Sequence, residues 1–361
     1  MEINTIAFYL PQYHPTANND LWWGKGFTEW TNVAKARKLF PGHYQPHIPA
    51  DLGFYDLRLP IIRFQQAELA RKAGITGFCY YHYWFGDGHE ELSLPFNEVV
   101  KTKEPDFPFC LCWANESWYK KMWNKDGAVT DKKLLVEQKY LGKEDDSKHF
   151  YSLINAFNDK RYIKVDGHLL FVIYKPLDSP NIKETIETWQ KLAKQNGLKG
   201  FYFAGFSFLA EKEGPKILSL GFDAVISCKH NRDKIHNFLW AIRKVSSMFF
   251  RIPRITRYNK LWPKLIGRLE KTDDNYIPVI IPNWDHTPRS GINGDVIINS
   301  TPAEFKKHCI DVFNAIKLKK NKLAFIKSWN EWGEGNYMEP DLKYGHGYIN
   351  AMKEAKDETE I

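Results

Sequence analysis

The stretch Leu323-Ala-Phe-Ile-Lys-Ser-Trp-Asn-Glu-Trp-Gly-Glu-Gly335 passes from an apolar run into a polar, aromatic one without a break. Residues Leu323–Trp329 read as a short buried strand. Glu331 and Glu334 follow it, three residues apart, among tryptophans and glycines. Carboxylates placed among indoles lose hydration, which penalises the charged form of at least one of them. A protein can in this way make one carboxyl a proton donor and keep its neighbour ionised near neutral pH. Trp329 and Trp332 offer flat faces of the kind sugar rings stack on. The alternative is a solvated loop with two chance glutamates, and the rest of the chain has to decide.

The same passage from apolar run to polar loop recurs along the chain. Ile3–Leu10, Ile75–Tyr81, Phe107–Trp113, Leu169–Tyr174, Phe201–Phe206, Phe222–Ser227, Ile277–Pro282 and Leu323–Trp329 all read as strands. Helical patterns separate most of them: Leu59–Ala73 ends at Gly74, Ile182–Gln195 ends near Gly197, and Thr301–Ile316 opens with Pro302 behind a capping hydroxyl. Fully apolar strands alternating with helices mean a parallel sheet. Eight such units predict an α/β fold, a single (β/α)8 TIM-type barrel with long βα loops. An open doubly wound sheet is the runner-up, weakened because no Gly-x-Gly-x-x-Gly turn follows the first strand. The expected organisation is a catalytic barrel over residues 1–350, a basic aromatic insertion at 236–272 between strands 6 and 7, and a charged C-terminal tail at 351–361.

A barrel keeps its functional residues just past the strand ends, at the C-terminal face. Strand 1 carries Tyr9 and runs into Gln12, Tyr13 and His14, followed by Trp23, Glu29 and Trp30. Strand 2 ends in His82 and Trp84, strand 3 in Trp113, Asn115 and Glu116, and strand 4 at Tyr174. Strand 7 leads to Asp285 and Arg289, and strand 8 to Trp329, Asn330, Glu331 and Glu334. Chance surface loops would not place polar and aromatic residues at so many strand ends, so these residues are the candidate substrate-binding set, with Glu331 and Glu334 as the candidate catalytic pair.

Composition agrees with a glycan cleft. Aromatic residues make up 15% of the 361-residue chain, many of them beside polar groups in loop-like segments. The net charge of +8 suits an anionic partner without requiring one. The five cysteines fall mostly inside apolar runs and read as buried free thiols of a reducing compartment. Neither Cys110 with Cys112 nor His43 with His47 has the partners or spacing of a metal site, and no cofactor is expected. P-loop, Gly-x-Ser-x-Gly and Asp-x-Asp signatures are missing from the sequence. Met1-Glu-Ile-Asn-Thr lacks a basic n-region and Ile6–Leu10 is short for a signal core, so a cytoplasmic protein is expected.

Glycosyl transfer needs a proton donor for the departing oxygen and an anion to stabilise or trap the oxocarbenium-like centre. Three residues apart, Glu331 and Glu334 are close for flanking a sugar from opposite faces. Glu116 and Asp285 are further carboxylates that can complete a trans-ring pair or anchor a neighbour. Arg289 is either such an anchor's partner or a clamp for an anionic substrate group. His14 and His82 can shuttle protons, bond sugar hydroxyls or simply hold a loop carbonyl.

The segment 238–271 breaks the rhythm, with nine Lys/Arg and Glu270 as its one acid. Trp240, Phe249, Phe250, Tyr258 and Trp262 are interleaved with the charges. One reading is peripheral contact with an anionic membrane or a lipid-linked saccharide. The other is a solvated helical insertion that packs its aromatics on the barrel. Basic residues confined to one insertion with no recognition motif argue against nucleic acid.

Ile6–Pro15, Trp23–Val33, Phe40–Pro46, Gly77–Phe85, Trp113–Glu116 and Ser328–Gly335 together resemble the WbsX-type proteins of bacterial polysaccharide clusters, glycosyltransferases related to glycoside hydrolase family 99. The resemblance spans essentially the whole chain and is weakest in the basic insertion. It implies a (β/α)8 barrel and a retaining, metal-independent reaction in cell-surface polysaccharide or O-antigen (lipopolysaccharide) assembly. By motif position it implies that Glu331 draws the proton from a sugar 2-hydroxyl, whose oxygen attacks the anomeric carbon, while Glu334 protonates the leaving oxygen. Gly333 departs from the bulkier residue that hydrolases often carry there. Transfer, endo-acting hydrolysis of mannose-like glycans, and non-catalytic glycan binding by the same barrel all stay open at this point.

Overall fold

The computed structural model describes residues 3–123, 129–229 and 252–360. The eight apolar runs fold as strands close to where the sequence places them: β1 (Asn4–Tyr9), β2 (Gly77–Trp84), β3 (Phe109–Trp113), β4 (His168–Ile173), β5 (Phe201–Ser207), β6 (Ala224–Ser227), β7 (Tyr276–Ile280) and β8 (Leu323–Ile326). Each pairs in parallel with its sequence neighbours. β1 also pairs with β8, from Asn4 opposite Leu323 to Ala7 opposite Ile326. That ladder closes the sheet on itself, so the fold is an eight-stranded parallel α/β barrel of the TIM type and the open sheet is excluded.

A helix follows every strand: α1 (Pro60–Lys72), α2 (Leu94–Thr102), α3 (Lys143–Ser152), α4 (Ile182–Gln195), α5 (Ala210–Ser219), α6 (Arg268–Thr272), α7 (Pro302–Ile316) and α8 (Gly347–Glu360). The predicted stops and starts act as expected. Gly74 takes a φ of +76° behind α1, and the Thr301 side chain accepts from the Glu304 amide ahead of Pro302 in α7. With helices outside and side chains inside, β2 is buried at every position. Phe8, Tyr81, Phe206 and Phe325, from four different strands, meet inside the barrel with ring centroids 5.1–5.7 Å from Phe8. All five cysteines are buried and none forms a disulfide.

Two segments differ from expectation. Residues 351–360 are not a solvated tail but most of α8, which buries Ile349, Ala351, Met352 and Ala355 against the barrel's other helices. Lys353, Glu354, Asp357, Glu358 and Glu360 occupy the helix's outer face, while the apolar residues at helical spacing, with the stem of Lys356 among them, bury the inner face. In the basic insertion, Trp240, Phe249 and Phe250 lie outside the described residues. The described part is a strand, Arg254–Arg257, and short helical turns, one of them α6. Its aromatics turn toward the barrel. Tyr258 is buried and donates to the Ile281 carbonyl at 2.7 Å, while the Trp262 indole donates to Glu304 and stacks on His308. Among the described residues, no helix is long and apolar enough to cross a membrane.

The rim is built by the long loops. Two short helices, Ala17–Trp23 and Glu29–Lys35, lie in the β1 loop, and an antiparallel hairpin, Trp118–Trp123 with Val129–Val136, rises from the β3 loop. Beyond β8 the chain makes a small hairpin, Asn330–Glu331 with Asn336–Tyr337, around a turn at Trp332–Glu334.

Candidate active site

β8 ends at Ile326, but its wall position continues: the Lys327 amide bonds to the Ile280 carbonyl and the Trp329 amide to the Phe8 carbonyl. This anchors the next residues to both neighbouring strands and aims Lys327 and Glu331 at the barrel mouth. Lys327 Nζ lies 2.8 Å from Glu331 Oε2, 4.0 Å from Glu334 Oε2 and 3.2 Å from the Tyr81 hydroxyl. Arg289, from the β7 loop, donates through Nη1 to Glu334 Oε1 at 2.5 Å and through Nε to Glu29 Oε1 at 2.8 Å. Each of the two motif glutamates thus has its own cation, and Glu29 holds the second cation from the far side. Burial pushes the Glu331 carboxyl up, Lys327 draws it back down, and Glu334 adds to the rise. The Lys327 ammonium is in turn raised by Glu331 and Glu334, which outweigh its own burial.

The turn that carries Glu334 is held by a close backbone approach. The Asp285 amide donates to the Glu334 carbonyl at 2.6 Å, and Gly335 sits at φ +58° with a Cβ position only 2.7 Å from Asp285 Cβ. Only glycine meets both demands, the left-handed backbone and the missing side chain.

These groups floor an open cleft of about 570 Å³, a size that suits a small oligosaccharide. Of the residues singled out from the sequence, Gln12, Trp23, Glu29, Glu116, Tyr174, Arg289, Glu331 and Glu334 line it. Trp23 is 40% exposed at the rim, stacks on Phe27 with centroids 5.5 Å apart and has the Lys120 ammonium 5.0 Å from its ring centre. Glu116 stands at the opening with Lys175 at 3.7 Å.

The remaining sequence candidates lie behind the cleft wall and do not line it. Trp329, expected as a stacking face, is fully buried against Phe78. Trp332 is likewise buried, stacked on Tyr337 at 3.7 Å with its indole donating to Glu339 at 2.6 Å. Asn330 exchanges two hydrogen bonds with the Leu10 backbone, clamping the end of β1 to the motif. Tyr13 donates to the Asn330 carbonyl and accepts from the Trp332 amide, and Trp30 packs beside it. Tyr9 reaches outward to Gln66 of α1. Asp285 is a buried knot, accepting from Gln45 and Thr287 and paired with His43 at 2.8 Å. Asn115 binds the Lys175 backbone through both ends of its amide. Trp113 and Trp84 donate to the Trp84 carbonyl and to Asp145, respectively. His82 faces His149, Nε2 to Nε2 at 2.8 Å, and burial drives its pKa to about 3. His14 is buried too, with its pKa lowered for the same reason. A polar or aromatic residue at a strand end can serve the wall as well as the cleft, and these residues serve the wall.

Sequence reasoning missed Lys327, Tyr81, Tyr83, Trp118 and His286, all of which line the cleft. Lys327 had a legible signal, a lone ammonium closing an apolar strand four residues before Glu331. The tyrosines had none, being indistinguishable from core residues of β2.

Residues 5–352 match the family described as Glycosyltransferase WbsX. Among curated proteins, WxcX of Xanthomonas campestris pv. campestris is 33% identical over 356 residues, covering 97% of this chain and 49% of its own length. The chain therefore spans about half the length of the curated relatives it matches. Among solved structures, a glycoside hydrolase-like protein superposes with a TM-score of 0.59 at 16% identity, covering 98% of this chain and 94% of its own. The family 99 endo-alpha-mannosidase from Bacteroides thetaiotaomicron superposes with a TM-score of 0.54 at 17% identity, covering 99% and 97%. At such identities the structural likeness is one of fold. The chain belongs to the WbsX glycosyltransferase family, a family of carbohydrate-active enzymes on a family 99-like barrel.

Proposed function

We propose that this protein acts at the anomeric centre of a glycan with retention of configuration and without a metal, using Glu331 and Glu334, in the assembly of a cell-surface polysaccharide. The observation that carries the reading is that both carboxylates reach one ammonium, that of Lys327, at the floor of an aromatic-rimmed cleft. Glu334 has Arg289 as its direct partner, yet both carboxylates converge on the Lys327 ammonium. A converging pair presents to one side of a bound ring, which suits participation by the substrate's own 2-hydroxyl better than a pair straddling the ring.

In the first step Glu331 takes the 2-hydroxyl proton, O2 bonds to C1, and the C1–O bond to the leaving group breaks as Glu334 gives that oxygen a proton. In the second, Glu334 takes a proton from the acceptor hydroxyl, which attacks C1 and opens the O2–C1 bond, while Glu331 returns the proton to O2. Arg289 contacts Glu334 in the free protein. Because Glu29 holds the same guanidinium, that contact can open to an incoming glycan without leaving the cation unpaired. The acceptor decides between transfer to a glycan hydroxyl, free or lipid-linked, and hydrolysis of the kind named for the family 99 endo-alpha-mannosidase.

The test is incubation with oligosaccharides from the host's own surface polysaccharide, read by NMR for product and anomeric configuration. Glu331→Gln and Glu334→Gln should each cost about two or more orders of magnitude in turnover. Unchanged turnover in both variants, or an inverted product, would refute the assignment. Glycan binding with no turnover by the unaltered protein would make it a non-catalytic binder.

A further inference from the structure

Sequence reasoning left Lys327, at the end of β8, without a role, and its surroundings are unusual for a lysine. It is 2% exposed, with its stem inside the barrel mouth and its ammonium against the Tyr81 and Trp284 rings at 5.7 and 5.5 Å. Burying an ammonium costs several kcal/mol unless an anion and hydrogen-bond acceptors meet it. Glu331 at 2.8 Å and the Tyr81 hydroxyl at 3.2 Å do so. A lysine kept only to fill space would be replaced at less cost by an apolar side chain, since the site is walled by aromatic rings.

The groups facing Glu331 come from every neighbouring element. Lys327 and Glu334 share its own segment, Arg289 reaches it from the β7 loop, Tyr81 and Tyr83 from β2, and Tyr174 from the end of β4. Burial keeps the three tyrosines neutral by pushing their hydroxyls well up. Arg289 is committed to Glu29 and Glu334. Lys327 is therefore the cation in direct contact with Glu331.

Resting on the reading of Glu331 as the acceptor of the substrate's proton, we propose that Lys327 is a positioning residue whose ammonium keeps that carboxyl ionised and oriented in the free site. Without it, Glu331 would stand buried beside Glu334 with no contact cation and would take up a proton from solvent, leaving nothing to accept one from the glycan.

The experiment follows the Glu331 carboxyl by ¹³C NMR in glutamate-labelled protein, assigned with Glu331→Gln, in the unaltered chain and in Lys327→Met, Lys327→Gln and Lys327→Arg. No substrate is needed. The Met and Gln variants should raise the Glu331 titration midpoint by about one pH unit or more, and the Arg variant should restore it. In turnover, the acid limb of the kcat/KM profile should move upward in Met and Gln, so that activity lost at neutral pH returns in alkaline buffer. Circular dichroism selects the folded variant of the Met and Gln pair. A midpoint that stays in place, or a loss of activity equal at every pH, would overturn the proposal. A raised midpoint together with full turnover in Glu331→Gln would leave Lys327's charge role standing and remove the catalytic reading of Glu331.

Discussion

Gly333 lies in the turn between the two motif glutamates, and replacing it with alanine should expose how that turn is packed. Its backbone is not in the left-handed region, so an alanine there is conformationally permitted and would by itself gain about 0.4–1 kcal/mol through the unfolded state. The space is what forbids it. A Cβ would overlap Glu29 Oε1 outright and sit 2.7 Å from Glu29 Cδ and 3.1 Å from Arg289 Nε. Glu29 is 2% exposed and is not the free end of a flexible surface chain, so it has to leave its place on Arg289. Breaking a buried pair costs about 3–5 kcal/mol when one partner is stranded. Arg289 keeps Glu334, so the lower end applies, and the gain from alanine brings the net loss to about 2 kcal/mol. In a Glu29→Ala background the methyl group enters vacated space and should cost almost nothing. The double-mutant cycle therefore predicts a coupling of about 2 kcal/mol, within the range for contacting residues. Urea unfolding of the four proteins at unchanged m-value measures it. A Gly333→Ala variant as stable as the unaltered chain, or one equally destabilised with and without Glu29, would refute the reasoning.

Two other outcomes follow from the same geometry. His82 titrates near 3 in the fold and near 6.5 when unfolded, so the unfolded chain binds the extra proton between those values, and stability falls as pH drops below about 6.5. His82→Gln should remove a stability loss of about 2 kcal/mol between pH 7.5 and 5, measured by urea unfolding; an unaltered pH dependence would count against the neutral His82–His149 pair. Trp329→Ala should cost about 3–5 kcal/mol in thermal unfolding because the ring is fully buried, whereas Trp23→Ala should change stability by under about 0.5 kcal/mol and weaken glycan binding. The reverse pattern would mean the cleft has been placed on the wrong tryptophan.

The barrel was legible because each strand and helix advertises itself locally. An apolar run of strand length, a helix stop such as Gly74 and a start such as Thr301-Pro302 depend on neighbours a few residues away. The rim was legible only as a list. Alternation would put Trp329 on the side of Lys327, but the chain leaves regular strand geometry after Ile326, and the indole turns outward to Phe78. The tail at 351–361 was misread because charge dominates its composition while its buried face is carried by a few spaced apolar residues.

From the order of residues alone come the eight βα units, the C-terminal rim as the place for chemistry, and the Glu331-x-x-Glu334 pair. These follow from periodicity and spacing, which are properties of a short stretch of chain. Which strand-end residues face the cleft and which brace its wall came only from the closed barrel. So did the partner of each glutamate: Arg289 meets Glu29 across 260 residues of chain, and Gly333 exists to make room for that meeting. Charges so far apart in sequence carry no mark of one another until β1 closes onto β8 and brings their loops together over the same opening.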